Sequence, residues 1–397
     1  MSLRGKTAVV GLGITQMGKV FGYDSNAFAA EAVKLATEDA GLDKEEIDGL
    51  ITHTGMSSIY EPLGGLRLSF QNYLGLQSLK LLSYMDVHGA TPSQMIQYAA
   101  MAIDAGMCNV VVCVCADVPL RGTKSSAGGA YSLAGRETPG ILGLGPAHGL
   151  PIVAPNIWYA FAAQRHMFEY GTTSRQLGAI AVAQRSWAVM NPIAQMRTPI
   201  TIEDHQNSRI VAEPLRLLDC CLASNGGIAV IVTSAERARS LKQPPVYILG
   251  MGQGHPGDTR RAGSDWMTRT GALTSKETAF RMAGITVRDI DVSQLYDCYT
   301  YTVLVTLEDY GFCKKGEGGP FVEDGKLGPG GSCPTNTGGG VLSAYYMQGM
   351  TPISEGVIQA RGQGGERQVR KHDIVLVSCT GGQLSHHCTL ILSPHTS

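Results

Sequence analysis

Short apolar runs and amphipathic stretches alternate along the whole chain, and the alternation repeats. Residues 7–11 (TAVVG) form a continuous apolar run of strand length, the pattern of a strand buried on both faces. Ser25 can cap a helix whose apolar positions Phe28, Ala32, Leu35 and Ala36 recur at helical spacing and which stops at Gly41. A second helix over 93–105 leads into a strong β run at 110–116. The wording Ala40-Gly41-Leu42, with Ile47-Asp48 behind it, then returns as Ala283-Gly284-Ile285 with Ile290-Asp291 at the same separation. Around that second copy the order also returns: a strand at 246–250, a helix ending near Ala283, a strand through Leu295, a helix over 354–360 and a strand at 374–378.

A duplicated unit is the economical explanation, and strands alternating with helices imply an α/β sheet covered on both faces. The pattern divides the chain into halves at 1–235 and 246–397, joined by a charged, proline-broken segment near 234–245. Residues 119–210 form an excursion from the first half, Gly/Pro-rich at first and then predicting amphipathic helices around 157–170 and 174–190. That is the natural place for a substrate or cofactor lid.

At 397 residues and 44% apolar content the chain can bury a large core. Its 32 Lys+Arg and 33 Asp+Glu nearly cancel, and no basic run marks a nucleic-acid surface. The opening Met-Ser-Leu-Arg-Gly-Lys lacks the apolar core of a signal peptide, and no stretch reaches the ~20 apolar residues of a membrane span, so a cytoplasmic protein is expected. The ten cysteines show neither CxxC pairs nor Cys/His metal spacing; reduced, buried thiols and no metal are expected. Gly11-Leu12-Gly13 with Gly18 lacks the spacing of a dinucleotide site and reads as a turn after the first strand. His386-His387-Cys388 is too compact for one metal ion and reads as strand-end surface and packing.

Tyr170-Gly171-Thr172, Leu177, Asn191-Pro192, Ser208-Arg209, Pro214-Leu215, Asp219-Cys220 and the run from Asn225 to Val230 follow one another in an order and spacing that resembles the central region of the thiolase superfamily, most closely its sterol-carrier-protein type. The resemblance extends over nearly the whole chain. It implies a duplicated thiolase fold, five layers in the order αβαβα, dimeric, acting on coenzyme A thioesters as substrates with no bound cofactor.

The catalytic motifs depart from that pattern. The family's nucleophilic cysteine falls at Gly89, within His88-Gly89-Ala90. The HDCF motif stands here as Tyr296-Asp297-Cys298-Tyr299, so its histidine position holds Tyr296. The N-x-x-GG motif followed by GHP stands as Asn336-Thr337-Gly338-Gly339-Gly340 and then Tyr345-Tyr346-Met347, so that histidine position holds Tyr346. Cys-x-Gly-Gly survives as Cys379-Thr380-Gly381-Gly382. Gly254-His255-Pro256-Gly257 imitates the GHP motif but follows the first strand of the second half, where a turn is expected.

This combination resembles the thiolase-like aldolases that cleave steroid side-chain CoA esters together with a small partner carrying an OB-fold and a zinc ribbon. The implied reaction is retro-aldol cleavage of a bulky β-hydroxyacyl-CoA to a ketone or aldehyde and a short acyl-CoA such as propionyl-CoA. It needs proton transfer and an enolate-stabilising site but no covalent nucleophile. The resemblance makes Tyr296 and Tyr346 the acid/base pair, with Tyr296 favoured as base, and Cys379 a proton carrier at Cα or a packed thiol. Asn336, Gly381 and His88 are candidates for positioning the thioester, each with a turn or packing role as the alternative. Tyr299, Tyr301 and Tyr345 are separated from the proposed pair only by the motif alignment. Two other readings stand beside the lyase: an acyltransferase using Cys298 or Cys379, and a non-catalytic acyl-CoA-binding scaffold.

Overall fold

The computed structural model describes residues 2–55, 70–122, 155–256, 265 and 267–396. Its strands are β1 (Thr7–Ile14), β2 (Gly49–Thr54), β3 (Leu81–Tyr84), β4 (Val110–Asp117), the short β5 (Ile210–Ala212) and β6 (Leu215–Arg216), β7 (Gly226–Ser234), β8 (Val246–Gly254), β9 (Val292–Leu295), β10 (Val375–Gly381) and β11 (His386–Ser393). The longer helices are α1 (Ser25–Ala40), α2 (Thr91–Asp104), α3 (Pro155–Tyr170), α4 (Ser174–Val189), α5 (Ala272–Ala283), α6 (Thr300–Tyr310) and α7 (Met350–Ala360).

The main sheet runs β3-β2-β4-β7-β1-β8-β11-β10-β9. Outward from its central β1/β8 pair the two arms repeat each other. β1 is antiparallel to β7, β7 to β4, and β4 is parallel to β2; β8 is antiparallel to β11, β11 to β10, and β10 is parallel to β9. The repeated wording of the sequence is thus a repeat of strand order and direction.

Helices α2 and α7 pack on one another and on strands of both arms, which makes them the middle layer. Helix α1 covers β1, β4 and β7 from outside, and α5 covers β8 and β11. The result is the five-layer αβαβα arrangement. Strand alternation feeds two apolar clusters on opposite faces: Ala8, Val10, Val112 and Leu249 face the outer helices, while Val9, Val111, Ile248 and Val377 join Met95, Ile96, Met350 and Ile353 of the middle layer.

Gly11-Leu12-Gly13 lies inside β1 and is no turn after it. A Cβ on Gly13 would sit 2.1 Å from the Ala32 carbonyl oxygen of α1, and one on Gly252 of β8 would sit 2.1 Å from that of Ser275 in α5. Glycine is needed at both places because helix and strand backbones touch there. His255 and Pro256 do follow β8 directly, as a turn requires, while Gly257 is outside the described residues.

The Gly/Pro-rich part of the excursion, 123–154, is also outside the described residues. Its helices leave the first half: α4 packs on α6 and on the turn at 340–344, both in the second half. Among the described residues no helix is long and apolar enough to cross a membrane.

Candidate active site

Tyr296 is the first residue beyond β9, and its N–H extends the parallel ladder by donating to the Ser378 carbonyl of β10 at 2.9 Å. Tyr346 follows the wide, π-helical turn Gly340–Ala344, and its N–H donates to Ser224 Oγ at 2.9 Å. The two elements bring the phenol oxygens to 2.8 Å, with both rings buried. The neighbouring tyrosines are occupied elsewhere. The Tyr345 hydroxyl is 3.0 Å from Ser354 Oγ, the Tyr301 hydroxyl donates to the Met267 carbonyl, and the Tyr299 ring lies 4.4 Å from that of Tyr159. Geometry therefore separates the pair that motif alignment selected.

Gly89 stands directly against the Tyr296 ring. A Cβ there would lie 2.4 Å from the Thr380 carbonyl oxygen and 2.8 and 2.9 Å from Cε1 and Cζ of Tyr296. The tyrosine ring fills the space that a cysteine side chain would need, so the missing nucleophile and the substituted histidine are one coordinated change.

Gly381 abuts the same segment: its Cβ would meet the Val87 carbonyl at 2.2 Å and the amide nitrogens of Gly89 and Ala90 at 3.0 Å. Gly349 is held between the Gly89 carbonyl and Cys379 Sγ, at 2.5 and 2.9 Å from its Cβ position. His88, with φ of 55°, donates its N–H to Asp86 Oδ1 at 2.9 Å, and its ring reaches the Gly382 turn. Tyr296, Tyr346, Cys379, Gly381 and His88 thus belong to one cluster around Gly89.

Asn336 is placed differently. Its Oδ1 accepts the N–H of Leu295 at 2.7 Å, so it secures the strand end that carries Tyr296. Two further residues escaped sequence reasoning. Asp297 is fully buried and accepts from the N–H groups of Val341 and Leu342 at 2.9 and 3.1 Å; its position inside the YDC motif was the only signal. Gln383 joins Trp158, Tyr159, Ala162, Met267 and Leu384 in lining a small surface recess, and nothing in its local sequence marks it.

Burial pushes both phenols well above their ordinary range; Tyr346, Cys298 and Cys221 push Tyr296 further up, while at Tyr346 the push from Cys221, Cys298 and Asp117 is partly offset by the hydrogen bond with Tyr296. None of these neighbours is cationic. Both phenols are accordingly neutral near pH 7, and one O–H is shared between them. Burial also raises the Cys379 thiol to about 12, only partly offset by Ser93 Oγ at 3.1 Å. Cys298 likewise rises to about 12 by burial. Neither has the base or cation that makes a thiol nucleophilic. Asp297 is raised to about 7 by burial, against the pull of the Val341 and Leu342 amides and the Asn336 side chain.

The thiolase C-terminal domain-like family matches residues 252–394. The steroid side-chain-cleaving aldolase of Thermomonospora curvata is 37% identical over 389 residues, 96% of each chain. The 17-hydroxy-3-oxo-4-pregnene-20-carboxyl-CoA lyase of Mycobacterium tuberculosis is 37% identical over 385 residues, 96% of this chain and 97% of that one. Among solved structures, the Ltp2-ChsH2(DUF35) aldolase superposes with a TM-score of 0.83 at 36% identity, covering 99% of both chains.

Proposed function

We propose, from the premise that this chain belongs to the thiolase superfamily and to its aldolase branch, that Tyr296 and Tyr346 work as a neutral proton relay in retro-aldol cleavage of a bulky β-hydroxyacyl-CoA of the steroid side-chain type. The observation that carries the reading is the 2.8 Å contact between two buried phenols, the Tyr296 ring of which packs against Gly89. A lone phenol is a poor base at neutral pH, because its anion must be stabilised first. Two hydrogen-bonded phenols avoid that state.

In the proposed step the substrate β-hydroxyl proton passes to the oxygen of one tyrosine as that tyrosine's proton passes to its partner. The Cα–Cβ bond breaks, its electron pair forming the thioester enolate while Cβ becomes the carbonyl carbon. The partner tyrosine delivers its own proton to Cα in the same concerted movement, so neither oxygen carries two protons and no phenolate forms. One proton leaves the substrate and one returns to it, and no residue ends with a changed charge. Gly381, at the turn that abuts the Gly89 segment, and His88 are the groups assigned to positioning the thioester.

Coenzyme A enters only as part of the substrate. A homodimer, a small OB-fold and zinc-ribbon partner and a cytoplasmic location complete the proposal; the name of the matched Ltp2-ChsH2(DUF35) aldolase supports a second component. The high thiols of Cys298 and Cys379 weigh against the acyltransferase.

The test is turnover of a 17-hydroxy steroid side-chain CoA ester in D2O by the chain with its partner. Propionyl-CoA carrying one deuterium at Cα is expected. Tyr296→Phe and Tyr346→Phe should each lower kcat by ~10²- to 10⁴-fold with little change in KM. Wild-type turnover in either variant would sink the relay, and a covalent acyl adduct on the protein would replace it with acyl transfer.

A further inference from the structure

Tyr296 and Tyr346 sit on separate segments, and the 2.8 Å between their oxygens must be set by whatever ties those segments together. Two ties flank Tyr296 directly. On one side the Leu295 N–H is held by Asn336 Oδ1 at 2.7 Å. On the other, Asp297 accepts from Val341 N–H through Oδ1 and from Leu342 N–H through Oδ2. These amides open the Gly340–Ala344 turn, which ends two residues before Tyr346. Amides at the start of a helical turn have no partner within it, so an external acceptor decides whether the turn holds.

The fit is close. A Cβ on Gly340 would fall 2.1 Å from Asp297 Oδ2, and Gly339 and Gly340 both have left-handed backbone, at φ of 98° and 60°. The backbone is therefore drawn onto the carboxylate in a conformation glycine alone takes easily. A wholly buried carboxylate is costly unless its oxygens are satisfied, and these bonds are what it gains.

We propose that Asp297 is a positioning residue: its carboxylate fixes the Gly340–Ala344 turn so that the Tyr346 hydroxyl meets that of Tyr296. The inference rests on the reading of the two tyrosines as the proton relay. It gives the middle residue of the YDC motif a task distinct from proton transfer.

The test is a mutant cycle on the full chain with its partner, read under single-turnover conditions with enzyme in excess so that slow variants are measured. Asp297→Asn is isosteric and keeps one acceptor oxygen, but turns an NH2 toward the second backbone N–H. It should lower the cleavage rate by ~10- to 100-fold with substrate affinity within about twofold, and Asp297→Ala should lower it further. In a Tyr346→Phe background, Asp297→Asn should cost less than about twofold more, because the group it positions is already gone. A wild-type rate for Asp297→Asn, an equal fold-loss in both backgrounds, or a loss that appears only with unfolding in the melting curve of both Asp297 variants would overturn the assignment. The two ideas fail separately. Full activity of Tyr346→Phe removes the relay itself, whereas a slow Tyr346→Phe beside a fast Asp297→Asn removes only the positioning role.

Discussion

Restoring the missing side chain at position 89 should damage the protein without restoring a thiolase. The smallest perturbation is Gly89→Ala. Its Cβ would arrive 2.4 Å from the Thr380 carbonyl oxygen, a backbone atom of β10, and 2.8 Å from Tyr296 Cε1. Backbone in a central layer yields little, so the Tyr296 ring must move, and its hydroxyl is the group bonded to Tyr346 at 2.8 Å. Overpacking of this kind costs ~1–3 kcal/mol. With an unfolding entropy of ~2.1 cal/mol/K per residue, that lowers the melting temperature of a 397-residue chain by about 1–4 °C. Activity should suffer more than stability, because a displacement of ~1 Å at the reacting groups costs ~10²-fold. Gly89→Cys should behave at least as badly and gain no acyl adduct, since Tyr296 stands where the thiol's histidine would be. Differential scanning fluorimetry, steady-state release of the short acyl-CoA and intact-protein mass spectrometry read the three effects. A Gly89→Ala enzyme with wild-type melting and wild-type kcat would refute the packing argument, and an acylated Gly89→Cys enzyme would refute the chemical one.

Cys379→Ala should keep kcat within about threefold of wild type, because a thiol raised to about 12 by burial holds its proton at neutral pH despite the Ser93 hydroxyl that donates to it; a loss near that of the tyrosine variants would make it a proton carrier after all. Gly252→Ala should be destabilised by more than about 3 kcal/mol or fail to accumulate, since its Cβ would meet the Ser275 carbonyl at 2.1 Å; an unchanged melting temperature would refute the close helix–strand contact. Acid stability should report two buried groups of opposite sign. His387 is depressed from 6.5 to about 3 by burial, so the folded state refuses its proton and stability falls by up to ~1.4 kcal/mol per pH unit below 6.5. Asp297 is raised from 3.8 to about 7, so its contribution is full below 3.8 and is lost as pH rises through 7. The two oppose each other between about pH 4 and 6.5. His387→Gln should therefore flatten or reverse the acid loss of melting temperature and Asp297→Asn should steepen it; parallel profiles for all three proteins would refute the assignment.

Periodicity reported the architecture well because the repeat is written in burial, and burial follows from the sheet. The Ala-Gly-Leu and Ala-Gly-Ile stops of the two halves are the left-handed caps at Gly41 and Gly284, with φ of 70° and 68°. Strand ends were harder. The expectation for the first strand stopped at Gly11, while β1 continues to Ile14, because the glycines that look like a turn are the ones α1 lies upon. Likewise α7 begins at Met350, before the predicted 354, since Pro352 in its first turn marks a start that reads locally as a break.

The site was legible in its motifs and illegible in its logic. Alignment to a family pattern places Tyr296, Tyr346 and Gly89, but a sequence cannot show that the ring at 296 occupies the space vacated at 89, a contact between residues some two hundred positions apart in the chain. That contact changes what each substitution means. Glycine at 89 alone would be a lost nucleophile, and tyrosine at 296 alone a lost base. Together they fill one volume, exclude a thiol from it and leave two neutral phenols in hydrogen-bond contact. Reverting either residue singly should therefore recover nothing: a cysteine at 89 meets the ring, and a histidine at 296 faces a glycine. Positions 89 and 296 are coupled in packing, and only a simultaneous change at 89, 296 and 346 tests whether a cysteine nucleophile and its partners can be seated on this fold.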